Sequence, residues 1–363
     1  MATYRIAVLP GDGIGPEVMA EALKVLRAVE AGFPGLRFEY KEHRTGAACY
    51  RETGRDLPAE TLETCRTADA ILFGAAGFPE VRFPDGTEIA PQLSLRVLLT
   101  LYAGVRPINR YPGVPPALAG DPPIDYVIVR ENTEGLYASR GGGIRVGDRV
   151  ATDSMVITRA GTERIVRYAF RLAQRRHGAP ADGRRRVTCV DKANVLTSMA
   201  FFRQVFDEVA REFPAVEADH VYVDAMALYM VQGPSRFDVV VAENMFGDIL
   251  SDLGAGTVGG MGLAPSADVG DTHGLFQPSH GTAPDIAGKG IANPVAQILS
   301  AAMMLDWLGE RHGDAQAQAA ARAVEAAVAS TLADPRHHPA DLGGNASTAA
   351  VGDAIAVAIR SHR

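Results

Sequence analysis

Cysteine is scarce in this sequence. Cys49, Cys65 and Cys189 are odd in number, scattered along 363 residues and without CxxC spacing, which excludes a disulfide framework and gives no zinc site. A reducing cytoplasm is the expected compartment. Long apolar runs are missing too: none reaches the roughly 18 residues of a membrane span. The first nine residues carry Arg5 and pass straight into a glycine-rich turn, leaving no room for the apolar region of a secretion signal. No membrane partner is expected. Positive charge is in deficit, with 36 Lys and Arg against 43 Asp and Glu and a net charge of -7, the opposite of the footprint that a phosphate backbone requires. Nucleic acid is therefore not an expected partner, and the arginine-rich stretch 171–186 reads as a solvated helix end and loop rather than a nucleic-acid or localisation patch. What remains is 47% hydrophobic and 22% charged, the balance of a globular chain that buries a large core, at a length that predicts two domains.

Short apolar runs recur at Tyr4–Leu9, 70–73, 126–129, 187–190, 221–223 and 239–241, mostly separated by stretches of helical period such as 16–29. This alternation predicts an α/β protein with a substantially parallel sheet. Glycines 141–143 precede an alternating stretch, 144–157, that reads as hairpin strands forming either a local edge or a dimer arm. Alanine-rich helices are expected over 294–308, 316–332 and 348–359.

Several positions carry chemistry. Gly11-Asp12-Gly13-Ile14-Gly15 stands between a strand and a helix, where backbone N–H groups can face an anion or cofactor, although its spacing is not GxGxxG and equally suits a structural turn. On a helix, Asp248 and Asp252 would stand one turn apart on one face, two like charges that call for a cation. Mg²⁺ or Mn²⁺ is favoured over a solvated acidic face because no Lys or Arg lies on that helix. Asp224 and Lys192 follow apolar runs directly, where α/β enzymes place functional groups. Arg96, Arg106 and Arg130, if they converge, suit a substrate with two or more carboxylates, because the guanidinium forms bidentate pairs.

Five strings stand in the order found in the β-decarboxylating dehydrogenases: residues 11–17, 130–137 (RENTEGLY), 191–194 (DKAN), 244–252 (NMFGDILSD) and 280–294 (HGTAPDIAGKGIANP). The sequence resembles the isocitrate and isopropylmalate dehydrogenase family over essentially its whole length. The resemblance implies a two-domain α/β subunit distinct from the Rossmann fold. Its discontinuous cofactor-binding domain would comprise 1–101 with 258–363, and 102–257 would form a second domain with the dimer interface and an arm at about 140–158. It also implies a homodimer with shared active sites, in which Lys192 and Asp224 serve the neighbouring subunit.

Carried over by motif, Arg96, Arg106 and Arg130 would hold carboxylates of a di- or tricarboxylate substrate, and Asp224, Asp248 and Asp252 would bind Mg²⁺ or Mn²⁺. Lys192 would be the base in oxidation of the 2-hydroxyl, and Tyr137 would protonate carbon after loss of CO₂. His280, Gly281, Asp285, Ile286 and Asn293 would line the cofactor site. A carboxylate at Asp285 accepts bonds from ribose hydroxyls but repels a 2'-phosphate, so NAD is expected over NADP.

Substrate choice in such enzymes is implied to rest on the helix ahead of Arg96. Isocitrate enzymes usually carry Ser and Asn where this chain has Ala90 and Gln92. Isopropylmalate enzymes usually carry two leucines, of which only Leu93 matches, Gln92 taking the other place. The RENTEGLY string, by contrast, is more similar to isocitrate, homoisocitrate, malate and tartrate relatives. A D-malate-type acid with a small or apolar substituent is expected, 3-isopropylmalate or D-malate and tartrate, ahead of isocitrate or homoisocitrate. A non-catalytic regulatory subunit is disfavoured because the lysine, tyrosine and aspartates are all kept.

Overall fold

In the computed structural model, which describes residues 2–361, the apolar runs become strands and the stretches of helical period become helices. The chain begins with β1 (Ala2–Gly11), α1 (Gly15–Gly32), β2 (Leu36–Glu42), α2 (Ala47–Thr53), α3 (Ala59–Thr67), β3 (Ala70–Ala75) and α4 (Pro91–Leu98). The middle holds β4 (Ala103–Asn109), β5 (Asp125–Glu131), β6 (Ile144–Val146), β7 (Val150–Thr152), α5 (Arg159–Arg175), β8 (Arg186–Asp191), α6 (Thr197–Ala210), β9 (Glu217–Tyr222), α7 (Val223–Gln232), β10 (Val239–Ala242) and α8 (Asn244–Val258). The last stretch holds β11 (Pro265–Val269), β12 (Gly274–Pro278), α9 (Val295–His312), α10 (Ala315–Leu332) and α11 (Thr348–Ser361).

These elements divide into two units. The first takes residues up to Thr100, Tyr111–Pro115 and residues from Gly259 onward; the second takes Leu101–Arg110 and Pro116–Val258. The sequence reading leaves 111–115 in the middle domain, but they pack with the first unit. Gly113, at φ +82, lies so close to the chain that a Cβ would meet the Leu332 carbonyl oxygen at 2.3 Å, an approach only glycine permits.

In the first unit the strand order is β2-β1-β3-β12-β11. β1 runs parallel to β2 and β3, β12 parallel to β3, and only β11 is antiparallel to its neighbour β12. β3, β11 and β12 are buried at every residue, as a sheet covered on both faces requires. The turn after β1 is a structural knot. Asp12, 2% exposed, accepts hydrogen bonds from the backbone N–H groups of Ala47 (2.6 Å), Ala48 (2.8 Å) and Gly77 (2.9 Å). Gly11, at φ +76, sits where a Cβ would meet the Ala75 oxygen at 1.8 Å.

In the second unit the order is β4-β5-β10-β8-β9, with β4 antiparallel to β5 and the rest parallel. The run 221–223 is not a strand to its end: Val223 opens α7 and puts Asp224 in its first turn, where the helix dipole favours a carboxylate. The expected hairpin exists as β6 and β7, a two-stranded sheet of its own. Strand structure stops at Thr152, and beyond it only the single bridge from Val156 to Gly135 remains. Among the described residues no helix is long and apolar enough to cross a membrane.

Candidate active site

Two buried arginines stand on one face of the second unit's sheet. Gly104 on β4 pairs with Arg130 on β5, and Arg106 is two residues along β4, so strand alternation points Arg106 and Arg130 to the same side. They are 4% and 3% exposed. Glycine at 104 leaves room for a third polar side chain, Asn132, whose Oδ1 lies 2.7 Å from where a Cβ would be.

α8 crosses over this face through its own glycines. A Cβ on Gly247 would meet Cβ of Arg130 at 2.7 Å, and one on Gly254 would meet Cδ1 of Ile108 at 2.8 Å, so the helix approaches the strands only because these positions are bare. The approach sets Asp248 against the Arg130 guanidinium and the Tyr137 hydroxyl, both of which donate to its carboxylate. The Arg130 guanidinium also lies over the Tyr137 ring, 5.1 Å from its centroid. One turn on, Asp252 has its pKa raised by desolvation and then by the charge of Asp248, against the pull of Arg106 and Arg130. The two carboxylates stand one turn apart, and the oxygen donors of Asp248 and Asp252 suit a hard divalent cation.

Asp224 is not with them. It pairs with Lys192, Nζ to Oδ1 at 2.5 Å, and among the described residues no three His, Cys, Asp or Glu side chains come together to hold a metal. The Lys192 loop is anchored by its neighbour Asp191, which is fully buried, receives Nε and Nη2 of Arg203 at 2.7 and 2.8 Å, and accepts from the Ala193 N–H.

Three carboxylates that sequence reasoning left without a role turn out to be scaffolding. Glu131 accepts from the backbone N–H groups of Thr133 and Glu134, both within the RENTEGLY string. Glu134 accepts from the N–H of Thr158 at 2.9 Å, the N-cap of α5, and Glu243 accepts from the N–H groups of Met245 and Phe246 at the start of α8. Burial is the largest influence on Glu131 and Glu243 and raises both pKa values. The motif signalled importance, but nothing in it separated turn-building glutamates from reactive ones.

The remaining candidates belong to the first unit. Arg96 on α4 is buried and donates through Nε to Asp268 of β11 at 2.8 Å. Asp268 has no signal in the sequence beyond being a carboxylate within a buried strand. Gln92 and Leu93 are half-buried one turn before Arg96, and Oε1 of Gln92 is buried without a hydrogen-bond partner.

A cavity of about 190 Å³ lies beside the 280–294 segment, lined by Ile14, Gly262, His280, Ile286, Ile291, Ala292, Asn293, Ala340 and Asp341. Its walls are mostly apolar, with polar groups at His280, Asn293 and Asp341, the make-up of a nucleoside pocket. Nε2 of His280 is buried and has no partner, while Nδ1 lies 2.9 Å from the Gly281 oxygen. Burial lowers the His280 pKa, so the ring is neutral and able to bond a heterocycle. Asn293 is held by Asp341 at 3.1 Å and by the Val295 N–H at 3.0 Å. Asp285 is exposed on the same segment, next to Ile286. Ile14, Ile291 and Asp341 are lining residues that the sequence reading missed; Ile14 sits in the glycine turn whose role it left open.

The sequence model of the family described as isocitrate/isopropylmalate dehydrogenase matches residues 5–355. The chain belongs to this family. It is 46% identical over 360 residues to the 3-isopropylmalate/3-methylmalate dehydrogenase of Methanocaldococcus jannaschii, covering 99% of this chain and 100% of that protein. Identity to the 3-isopropylmalate dehydrogenase of Frankia casuarinae is 49% over 337 residues, 91% and 93% of the two chains. Among solved structures, isocitrate dehydrogenase from Methylococcus capsulatus matches at a TM-score of 0.85 and 39% identity, covering 98% of this chain and 99% of that one. The protein is thus a family enzyme, a decarboxylating dehydrogenase with the family's α/β fold.

Proposed function

We propose that the protein oxidises and decarboxylates a malate-type 2-hydroxy acid, 3-isopropylmalate first, using NAD and Mg²⁺ or Mn²⁺. The observation that carries this reading is the group on β4, β5 and α8, where two buried arginines share a sheet face on which α8 lays Asp248, bonded by Arg130 and Tyr137, with Asp252 one turn on. Arg106 and Arg130, with Arg96, bind and orient the substrate carboxylates. Lys192 takes the proton of the 2-hydroxyl, and Tyr137, its hydroxyl fixed by Asp248, returns a proton to carbon after CO₂ leaves. When bound, the metal supplies Lewis-acid polarisation of the hydroxyl oxygen and NAD supplies the hydride acceptor. Asp224, Asp248 and Asp252 hold the ion; His280, Gly281, Asp285, Ile286 and Asn293 hold the dinucleotide, with Asp285 disfavouring a 2'-phosphate.

A homodimer with shared sites accounts for the separation of Lys192 and Asp224 from Asp248 and Asp252. Apolar side chains exposed on the hairpin (Ile144, Val146, Val150), on α7 (Leu228, Val231) and on α8 (Ile249) support an interface there. A cytoplasmic location fits three free, buried cysteines.

The unpartnered Gln92 Oε1 favours a second reading, D-malate or tartrate, in which hydrogen or a hydroxyl replaces the isopropyl group and the tartrate hydroxyl would donate to that oxygen. Isocitrate and homoisocitrate rank behind, since Ala90 and Gln92 stand where a Ser and an Asn would hold a third carboxylate. Steady-state assays with a panel of malate derivatives test this: highest kcat/KM for 3-isopropylmalate, preference for NAD over NADP, and loss of turnover in EDTA restored by Mn²⁺ are expected. Equal efficiency with both cofactors, or full rates in EDTA, would defeat it.

A further inference from the structure

Lys192 and Asp224 leave the ends of neighbouring strands. β8 and β9 run parallel with Asp191 opposite Tyr222, so these two side chains stand beside each other on one face of the sheet. The chain then passes into Lys192 after β8 and, past Val223, into Asp224 in the first turn of α7 after β9. Nζ of Lys192 donates to Oδ1 of Asp224 at 2.5 Å and lies over the Tyr222 ring, 5.8 Å from its centroid. The Lys192 carbonyl oxygen accepts from the N–H groups of Val195 and Leu196, both at 3.0 Å, which fixes the turn but not the side chain. Its four-carbon stem is flexible by itself, and the Tyr222 ring and Asp224 are what its ammonium rests on.

One side chain grips both strand ends. Arg203, in the second turn of α6, sends Nε and Nη2 to the two oxygens of the buried Asp191, and its guanidinium carbon lies 5.1 Å from the centroid of the same Tyr222 ring. A planar guanidinium can fork a carboxylate and lie against an aromatic face at once; an ammonium supplies the charge without the fork. Neutralising Asp191 and holding Tyr222 in place are therefore separable tasks, and arginine performs both.

We propose that Arg203 is a positioning residue for the reaction: by clamping Asp191 and the Tyr222 ring together it holds Lys192 and Asp224 as one rigid pair. The inference rests on the reading of Lys192 as the group that takes the hydroxyl proton, a task that requires Nζ within hydrogen-bond reach of that proton. Arg203 itself touches no reacting atom, and its influence runs through the two side chains it grips.

The test compares wild type with Arg203→Gln, Arg203→Lys, Tyr222→Leu and Lys192→Met, using Mn²⁺ and whichever malate derivative the wild type turns over fastest. The readouts are the single-turnover rate of NADH formation, KM for the hydroxy acid, KM for NAD and the urea unfolding midpoint. Arg203→Gln leaves Asp191 buried without its cation and should lose both stability and rate. Arg203→Lys returns the charge and should recover most of the stability, yet its rate should stay about tenfold low with both KM values within about twofold of wild type, since small misplacements of a reacting group cost rate before binding. Were Arg203 only a counter-charge for Asp191, rate and stability would return together. Tyr222→Leu keeps the Arg203 to Asp191 fork whole, so it reads the other half of the clamp even if the Arg203 variants do not fold, and should slow single turnover about two- to fivefold, the size of one exposed cation–π contact. A wild-type rate in Arg203→Lys or in Tyr222→Leu, with Lys192→Met inactive, overturns the clamp alone. An active Lys192→Met overturns the reading of Lys192 and the inference with it.

Discussion

Arg130 and Asn244 are joined by a fork, Nε and Nη2 of the arginine both donating to Oδ1 of the asparagine at 2.9 and 2.7 Å. Asn244 also donates through Nδ2 to the Glu134 carbonyl at 2.9 Å, so one amide ties a β5 side chain, the start of α8 and the RENTEGLY turn together. Asn244→Ala leaves a buried guanidinium short of an acceptor. It should cost about 1–3 kcal/mol in urea unfolding and raise KM for the hydroxy acid while sparing KM for NAD.

Gly247→Ala tests the close approach of α8. Alanine is favoured over glycine in a helix by about 1 kcal/mol, but a Cβ at 2.7 Å from Arg130 Cβ forces helix and strand apart. The clash should win, with a net loss of about 1–3 kcal/mol. Gly256→Ala on the same helix meets nothing within 4 Å and should be neutral or stabilising by about 0.5–1 kcal/mol. Parallel thermal melts of the two variants decide it.

Asp12→Ala removes the acceptor for three backbone N–H groups. A loss of about 2–4 kcal/mol is expected from buried donors left without a partner. Chemical denaturation measures the loss. A cofactor-binding role for Asp12 would instead appear as a raised KM for NAD with stability intact.

His280 gives a pH dependence with a definite sign. Burial lowers its pKa below the ordinary value of 6.5, so near neutrality both the folded and unfolded states leave the ring uncharged. As pH falls through the ordinary value the unfolded chain takes up a proton that the folded protein refuses. The stability contribution is therefore complete above that value and is lost as pH falls toward the lowered one. Unfolding free energies measured from pH 7.5 to 5 should decline in wild type and decline less in His280→Gln; parallel slopes would refute this.

Sharing of sites is open to complementation. Lys192→Ala and Asp252→Ala proteins, each inactive, are mixed under conditions that exchange subunits. If Lys192 serves the partner while Asp252 serves its own chain, a heterodimer has one site with both defects and one with neither, and activity should recover to about a quarter of wild type with random pairing. Inactive mixtures with heterodimers demonstrably present would return Lys192 to its own chain's site.

The framework was legible because period and length agree in it. β10 (VVVA) is a short continuous apolar run and is wholly buried, while α9 and α10 follow alanine-rich helical repeats. Val223 was misread because apolar residues in series look alike at a strand end and a helix start; the switch came where Asp224 could meet a helix N-terminus. Hairpin strand structure ended sooner than the alternation because β6 and β7 pair only with each other, and past Thr152 there is little to pair with. Of the site, residue types and motif order named the arginines and aspartates. Asp268 behind Arg96, Asn244 behind Arg130 and Asp341 behind Asn293 were not legible, because each partnership joins segments distant in the chain.

The first unit is assembled from both ends of the polypeptide, and this fixes an order in time. Ile71 and Leu72 of β3 pair with Leu275 and Phe276 of β12, strands separated by roughly two hundred residues that loop closure must bring together. At about 5–20 residues per second, the ribosome leaves β3 with an open edge for about 10–40 seconds before its partner is made. By then the second unit, whose last residue is Val258, has been synthesised in full. A chain cut short after α8 would carry a complete second unit and an N-terminal sheet whose β3 edge stays unpaired, a template for strand addition by other chains.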